Sequence, residues 1–438
     1  MTTETATRAR TRALTLLLAG VILAGCVAGA PASLDTPAAV TQPSPTPIPT
    51  DSPTPDPTPS PATPSPATPS PTVRPSPTPS PAQATTVGTT CALQTLASMS
   101  EAQRIGQLFM VGLADDQLTA TLRAAIGQYH FGSVLFTKKS SAGVSGILGV
   151  SDAVQAQATQ SATDGVPFFV AANQEGGLIQ TLSGSGFEVM PSALTQGSLS
   201  PAQLQAAATT WGRELKAAGV NLDLAPVSDV VPPGTDDQNA PIGALDREYG
   251  HYPATVASHV VAFIDGLRAA GVGTTAKHFP GLGRVEGNTD FTSAVVDTVT
   301  TRHDPYLLPF ERAVASHVPF VMISLATYTQ IDPQHLAAFS NTVINGMLRG
   351  DMGFRGVVMS DSLSATAVVS LSPGTRAIRF LDAGGDMIVL NQVDQASAMA
   401  SAIASFAATT SWFRARVDNA AWHVLRAKEA AGLLTCGG

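Results

Sequence analysis

The chain has 438 residues, of which 44% are hydrophobic and 13% are charged, and its formal net charge is -8. A negative charge without any basic cluster argues against nucleic acid as a partner. The eight histidines have neither cysteine partners nor paired spacing, so we expect neither a metal nor a cofactor. After residue 25 no apolar run is long enough to cross a membrane. These properties exclude a nucleic-acid-binding protein and one with several membrane spans.

Residues 1–25 have the pattern of a secretory signal peptide. Three arginines near the N-terminus precede an apolar core, and this core is followed by Leu23-Ala24-Gly25-Cys26. This tetrapeptide resembles the lipobox of bacterial lipoproteins, in which cleavage precedes the cysteine and the cysteine is acylated. We therefore expect lipidation of Cys26 and an extracytoplasmic protein anchored to the bacterial cell membrane. An ordinary secretory signal with an incidental cysteine and a short membrane anchor are the alternatives.

Residues 26–87 form a linker rich in Pro, Ser and Thr, with repeats such as Pro-Ser-Pro-Thr-Pro. Such a composition cannot bury enough apolar area to fold, and proline keeps it extended. We predict a disordered stalk that leads to a globular part at 88–438. That part has about 350 residues, enough for one large core, and we expect it to be a monomer.

Two cysteines remain when Cys26 is set aside. Cys91 and Cys436 lie at the two ends of the globular part. In an oxidising compartment they can pair and join the ends of the domain, because the termini of compact domains often lie close together. We predict this disulfide, with two unrelated thiols as the alternative.

The globular part alternates short apolar runs with longer amphipathic stretches. Strands that alternate with helices are typical of parallel βαβ units, and eight such strands favour a closed (β/α)8 TIM-type barrel. An open doubly wound sheet is the alternative, but no glycine-rich phosphate motif follows the first strand. A final helix, 411–434, carries Trp412 and Trp422, which we expect in the core. The predicted strands are Gln107–Leu113, Gly132–Phe136, Pro167–Ala171, Asn221–Pro226, Gly273–Lys277, Pro319–Ser324, Gly356–Ser360 and Asp386–Leu390.

Polar residues follow most of these predicted strands. In a barrel the carboxyl ends of the strands meet at one face, where catalytic residues collect. The barrel prediction therefore brings these residues into one pocket. They are Asn173 and Glu175 after the third strand, Asp229, Asp246 and Arg247 after the fourth, Lys277 and His278 after the fifth, Ser324 and Tyr328 after the sixth, and Asp361 after the seventh.

Four segments have a distinctive composition: Asn-Gln-Glu-Gly-Gly at 173–177, Asn-Leu-Asp-Leu-Ala-Pro-Val at 221–227, Lys-His-Phe-Pro-Gly at 277–281 and Val-Val-Met-Ser-Asp-Ser-Leu at 357–363. In content and order they resemble the motifs of glycoside hydrolase family 3. The similarity covers the whole globular part and is greatest to the single-domain bacterial β-N-acetylglucosaminidases. It implies a retaining exo-glycosidase for terminal β-linked N-acetylglucosamine in cell-wall fragments.

The resemblance assigns roles to individual residues. Asp361 matches the nucleophile that forms a glycosyl-enzyme, with an acid on the other side of the bond. Lys277 and His278 match residues that bind sugar hydroxyls, and Arg247 matches a substrate-binding arginine. Two-domain members take their acid/base from a second domain, and we expect no such domain after Asp361.

Several positions depart from the family pattern. Single-domain members carry Asp-x-His after Lys-His-Phe-Pro-Gly, and counting from Lys277 places Asn288 at the orienting position and Asp290 at the acid/base. A carboxylic acid with a raised pKa can fill that role, so Asp290 is the candidate acid/base and Glu286 the second choice. Asn173 and Thr181 replace a substrate-binding aspartate and arginine. We retain both as substrate-binding positions that act through neutral hydrogen bonds, with no contact to substrate as the alternative.

Two other functions remain open from the sequence. One is a β-glucosidase-like exo-hydrolase that acts on an unacetylated sugar. The other is a catalytically weak barrel that binds wall glycan as a lipoprotein, which the altered Asp-x-His pair favours.

Overall fold

The computed structural model describes residues 90–113 and 117–434. The signal peptide, Cys26 with its predicted lipid, the linker at 26–87 and Cys436 lie outside the described residues and stay predictions. Within the described ranges, no helix combines the length and apolar character that a membrane span requires.

Eight parallel strands form the centre of the described structure. They are β1 (Phe109–Leu113), β2 (Ser133–Phe136), β3 (Phe169–Ala172), β4 (Leu222–Asp223), β5 (Gly273–Phe279), β6 (Phe320–Ile323), β7 (Val357–Ser360) and β8 (Ile388–Leu390). Neighbours along the chain pair in parallel from β1 to β7, and β8 pairs with β1. A parallel bridge between Met359 and Met387 joins β7 to the segment that enters β8. The sheet therefore closes into the predicted barrel, and the open doubly wound alternative is wrong.

Each strand coincides with a predicted apolar run, and β4 departs most from its predicted length. The run was predicted over Asn221–Pro226, but the ladder stops at Asp223. Pro226 has no N–H to donate, which interrupts regular pairing. Pairing with β5 resumes at a bridge between Val227 and Lys277.

Side chains alternate between two apolar layers along the strands, because successive residues point to opposite faces. In β3, Phe169 and Ala171 belong to the cluster inside the barrel, whereas Val170 and Ala172 pack against the surrounding helices. The interior is therefore a filled core, and polar groups collect at the rim. The barrel interior contains Met110, Leu135, Phe169, Ala171, Leu222, Leu224, Phe320, Met322, Val357, Met359, Met387 and Val389.

Helices surround the strands. They are α1 (Cys91–Ser98), α2 (Glu101–Gln107), α3 (Ala120–Tyr129), α4 (Gly143–Gln155), α5 (Gln160–Thr163), α6 (Ala193–Gln196), α7 (Pro201–Ala217), α8 (Pro253–Ala269), α9 (Leu308–Ala315), α10 (Pro373–Asp382), α11 (Val393–Thr409) and α12 (Ser411–Ala430), with a π-helix at Thr342–Asp351. Ser200 begins α7 with a reciprocal capping box to Gln203. The helices predicted between strands are present, although the π geometry was not expected.

The closing helix α12 ends earlier than predicted. Gly432 adopts a φ of +71°, and the N–H of Leu433 donates to the carbonyl of Lys428 at 2.8 Å. This is a Schellman ending, which favours glycine at the left-handed position. Trp412 is 55% exposed, so the prediction that it packs in the core is wrong.

The two ends of the described domain meet where α1 packs against α12. The backbone N–H of Cys91 donates to Glu429 Oε1 at 3.0 Å. Cys91 is disulfide-bonded. Because Cys436 is outside the described residues, its pairing with Cys91 stays a prediction.

Candidate active site

The ends of the strands form one cavity of about 310 Å³. This volume is at the lower end of the range for ligand pockets, about 300–1,000 Å³. Asp361 after β7 and the Lys277–His278 pair at the end of β5 face the same cavity, as the barrel prediction requires. Its lining includes seven of the eight residues that the sequence assigned to catalysis, substrate binding or orientation, namely Asn173, Arg247, Lys277, His278, Asn288, Asp290 and Asp361.

A buried carboxylate joins the two cations of the cavity. Glu175 accepts from Arg247 Nε and Nη2, both at 2.8 Å, and its Oε1 lies 2.5 Å from Lys277 Nζ. Burial by itself would raise the pKa of Glu175, but Arg247 and Lys277 lower it to about 2. Glu175 therefore stays ionised and fixes two long side chains at the cavity wall. From the sequence alone, Glu175 in the Asn-Gln-Glu-Gly-Gly motif is as consistent with bracing the loop as with contacting sugar, and its contacts with Arg247 and Lys277 favour bracing.

Asn173 lies beside this ion cluster. Its Oδ1 accepts from Lys277 Nζ at 2.8 Å. Lys277 is only 2% exposed, and its ammonium group contacts two oxygens, one of Glu175 and one of Asn173. An ammonium group has three N–H donors, so one donor remains for a ligand.

A second carboxylate orients the histidine of the Lys-His motif. Asp229 Oδ2 lies 2.8 Å from His278 Nδ1, and Asp229 Oδ1 accepts from the backbone N–H groups of His278 and Leu282. This arrangement fixes the imidazole and leaves Nε2 for a ligand. The sequence placed Asp229 at a strand end but gave it no role, and its only signal was that position.

Asp361 follows the last residue of β7. Its backbone N–H donates to the carbonyl of Ile323 in β6 at 2.9 Å, and its Oδ1 accepts from the backbone N–H of Ser362 at 2.8 Å. Two strands thus fix the backbone on which this carboxylate sits. The side chain is partly exposed to the cavity, which the predicted role as nucleophile requires.

The loop after β5 carries Asp290 to the segment beyond β7. The carbonyl of Asp290 accepts from Thr366 Oγ1 at 2.8 Å, and the carbonyl of Thr289 accepts from the N–H of Ala367 at 3.1 Å. Asn288 Oδ1 accepts from the Asp290 N–H at 2.9 Å, so Asn288 orients the backbone of Asp290. These contacts place Asp290 on the same side of the molecule as Asp361.

The environment of Asp290 suits a proton donor. Loss of surrounding water raises the pKa of Asp290 although the residue is exposed at the cavity mouth, and the charge of Asp361 raises it further. The pKa of Asp290 is lowered by His278, Arg247 and Lys277, but by less than it is raised. Two carboxyl groups in one cavity with different environments are typical of an acid and a nucleophile.

Two predicted positions lie apart from this cavity. Glu286, the second choice for the acid/base, is exposed and lines a different surface depression beside Arg284. Thr181 does not line the cavity either, and its backbone N–H donates to the carbonyl of Asn173 at 3.1 Å. Thr181 therefore supports the loop that carries Asn173, and its contact with substrate stays a prediction.

Tyr328 supports the turn that follows Lys-His-Phe-Pro. Its hydroxyl donates to the carbonyl of Gly281 at 2.7 Å and lies 2.9 Å from Ser324 Oγ. Both residues were expected at the barrel rim from their place after the sixth strand. They act by holding the neighbouring loop.

Comparison with known proteins agrees with this geometry. The profile of the glycosyl hydrolase family 3 N-terminal domain matches residues 101–427. The chain belongs to glycoside hydrolase family 3. It is therefore a glycoside hydrolase, and its parallel barrel is the fold that the sequence predicted.

Relatives of this family 3 enzyme cover most of the globular part. A β-hexosaminidase from Xylella fastidiosa strain M23 is 31% identical over 306 residues, which span 68% of this chain and 87% of the relative. The crystal structure of a β-N-acetylhexosaminidase from Beutenbergia cavernae shares 47% identity with a TM-score of 0.75, covering 76% of this chain and 99% of that one. A family 3 β-N-acetylglucosaminidase from Paenibacillus is 27% identical with a TM-score of 0.70, covering 78% and 64%.

Proposed function

We propose that this family 3 enzyme is a retaining exo-β-N-acetylhexosaminidase that removes terminal β-linked N-acetylglucosamine from cell-wall fragments. The observation that carries the proposal is that Asp361 and Asp290 line one cavity beside a fixed cluster of cations. The pKa of Asp290 is raised there, as a proton donor requires. The names of the β-hexosaminidase relatives support the choice of sugar.

The reaction follows from the two carboxyl groups. The Asp361 carboxylate attacks the anomeric carbon, and the bond to the leaving oxygen breaks as Asp290 gives that oxygen a proton. The product is a glycosyl ester on Asp361. Asp290, now ionised, then takes a proton from water, which attacks the same carbon and releases the sugar with its original configuration.

The sugar would bind to hydrogen-bond donors that the protein holds in place before substrate arrives. Arg247 and Lys277 are fixed by Glu175, and His278 is fixed by Asp229. Groups held before substrate arrives lose little entropy on binding, so they position the anomeric carbon for attack efficiently.

The test compares two chromogenic substrates. The purified chain is incubated with an aryl β-N-acetylglucosaminide and with the matching aryl β-glucoside, alongside Asp361→Asn. Asp382→Asn, an exposed carboxylate on α10, is the matched control. Cleavage of the first substrate alone, lost in Asp361→Asn and kept in the control, supports the proposal.

Other outcomes select the remaining functions. Cleavage of the glucoside alone would identify a β-glucosidase-like enzyme. Binding of wall fragments with no turnover of either substrate would identify a glycan-binding lipoprotein.

We also propose that Cys26 is lipidated and anchors the enzyme outside the cytoplasm. The support is the sequence of residues 1–26 and the extended linker that follows. Cys26→Ala should move the enzyme from the membrane fraction to the medium. Unchanged membrane association of this variant would contradict the lipid anchor.

A further inference from the structure

Three potential metal ligands meet on the connection between β4 and α8. Asp236 belongs to a short 3-10 turn, Asp236–Gln238, while Glu248 and His251 precede α8. One ligand atom from each of the three residues lies within 4.8 Å of the other two. None of these residues lines the sugar cavity, so the cluster is separate from the catalytic carboxylates.

Glu248 is the unusual member of this cluster. It is 0% exposed, and within the described part of the chain neither of its carboxylate oxygens has a hydrogen-bond partner. Asp236 Oδ1 is also buried without a hydrogen bond. A buried carboxylate without a partner is costly, whereas a bound cation would satisfy both groups.

The separation of His251 from Asp236 suits a small cation. His251 Nδ1 lies 3.5 Å from Asp236 Oδ1. Zinc binds nitrogen and carboxylate oxygen at about 2.0–2.2 Å, so neighbouring ligands of a tetrahedral zinc ion lie about 3.3–3.5 Å apart. An imidazole ligand also favours zinc over calcium or magnesium, which prefer oxygen.

The backbone around the cluster is held in place. The buried Asn239 side chain donates to the carbonyls of Leu282 and Val285 and accepts from the N–H of Gly243 at 2.8 Å. A Cβ on Gly243 would approach the backbone of Asp236 to 2.7 Å. The turn that carries Asp236 is therefore packed tightly against the segment leading to Glu248.

We propose that Asp236, Glu248 and His251 form a binding site for one divalent transition-metal cation, with Zn²⁺ as the matching ion. On binding, His251 Nδ1 exchanges its 3.3 Å contact with the carbonyl of Val231 for the metal. Asp236 and His251 are partly exposed, which leaves an open position for water. The site does not depend on the proposed reaction, and it departs from the sequence expectation of no metal.

The experiment is calorimetric titration of the metal-free full chain with ZnCl₂ and, in parallel, CaCl₂. The variants are Glu248→Gln, which keeps the side-chain shape, and His251→Gln, at a partly exposed position. Asp237→Asn, the exposed neighbouring carboxylate, is the matched control. Thermal unfolding without metal verifies that each variant folds.

The wild type and the control should bind one Zn²⁺, with affinity weakened about a hundredfold or more in either ligand variant. Absence of saturable Zn²⁺ binding by the wild type would overturn the site. Equal binding by the wild type and both ligand variants would also overturn it. Calcium binding as tight as zinc binding would overturn the assignment to a transition metal.

Discussion

Glu175 shows how one buried charge organises the sugar cavity. The cations that the sequence assigned to substrate binding, Arg247 and Lys277, both contact this carboxylate. Their positions are therefore set before any sugar binds. The family motif identified the positions of the cations, but only the structure shows that Glu175 holds both.

Replacing this carboxylate tests its role. Glu175→Gln should lower the free energy of unfolding at pH 7 by about 3–5 kcal/mol, because it leaves buried cations without their partner. Since the folded pKa of Glu175 is lowered to about 2 from 4.5, its contribution is present above pH 4.5 and is lost as the pH falls toward 2. Urea unfolding of wild type and variant at pH 7 and pH 3 measures both effects.

Glu311→Gln, an exposed carboxylate on α9, provides the control and should leave stability nearly unchanged. If Glu175→Gln were as stable as the wild type at pH 7, the ion cluster would not hold the cavity together.

The acid/base role proposed for Asp290 predicts how the rate of hydrolysis depends on the leaving group and on pH. Asp290→Ala should lower kcat/KM by about 10²–10⁴-fold for aglycones that need protonation, and much less for activated ones. In the wild type kcat/KM should fall on the alkaline side as Asp290 ionises. Its raised pKa places that fall at higher pH than an ordinary aspartate would. Steady-state rates across pH with both substrate types measure these effects.

The matched control is Glu286→Ala, in the same loop but outside the cavity. Equal losses with activated and unactivated aglycones, or an unchanged alkaline limb in Asp290→Ala, would remove Asp290 from the acid role.

At the scale of elements, Asp386 joins the segment between α10 and β8 to its neighbours. Its carboxylate lies 2.5 Å from Arg349 of the π-helix, 2.9 Å from Arg416 and 3.0 Å from His423 of α12, and it accepts from the N–H of Val358 in β7. Burial by itself would raise the pKa of Asp386, but His423 and the two arginines lower it. This carboxylate therefore links the strand before Asp361 to two outer helices.

Asp386→Asn should lower the free energy of unfolding by about 3–5 kcal/mol at pH 7, since it leaves two arginines without their buried partner. Because the folded pKa is lowered, the contribution is present above the ordinary aspartate value and is lost as the pH falls below it. Urea unfolding at pH 7 and pH 3, with the exposed Asp382→Asn as control, gives the difference. A variant with wild-type stability would show that packing alone joins these elements.

The boundaries of helices and strands could be predicted where the local sequence signal is strong. They were uncertain where contacts with distant segments determine where an element ends. The strands followed from short apolar runs, and α7, which begins with a serine cap and a proline, lies in one of the amphipathic stretches between them. The early end of β4 and the π geometry of Thr342–Asp351 depend on pairing across the barrel and on packing against it. The helix and strand propensities of single residues do not report such long-range contacts.

At the scale of the whole molecule, Lys428 on α12 closes one end of the barrel. It is 0% exposed, and its Nζ donates to Gln107 Oε1 at 2.7 Å and to the carbonyl of Gly132 at 2.8 Å. The ring of Phe169, inside the barrel, lies 5.6 Å from the same atom. Burial lowers the pKa of Lys428 well below its ordinary value of 10.5.

This shift predicts a pH dependence of stability. Between the lowered pKa and 10.5 the unfolded chain binds a proton that the folded chain does not, so the free energy of unfolding rises with pH. Lys428→Met should reduce that rise, whereas Lys139→Met, at an exposed position, should not. Urea unfolding at pH 7 and pH 10 measures the difference, and equal slopes for wild type and Lys428→Met would contradict the prediction.

The sequence by itself determined the barrel, the family and most of the polar residues that line the cavity. Apolar runs alternating with amphipathic stretches specify βαβ units, and a parallel barrel brings the strand ends to one face. Asp361, Lys277, His278 and Arg247 could therefore be placed together before any coordinates were known.

Only the tertiary structure decided which charges touch. Glu175 lies 72 positions from Arg247, and Asp229 lies 49 from His278, so neither contact has a local signal. The same holds for Asp236, which only folding brings within 4.8 Å of Glu248 and His251. The physical reason is that periodicity reports which face of an element is buried, whereas the partner of a buried charge depends on the packing of distant segments.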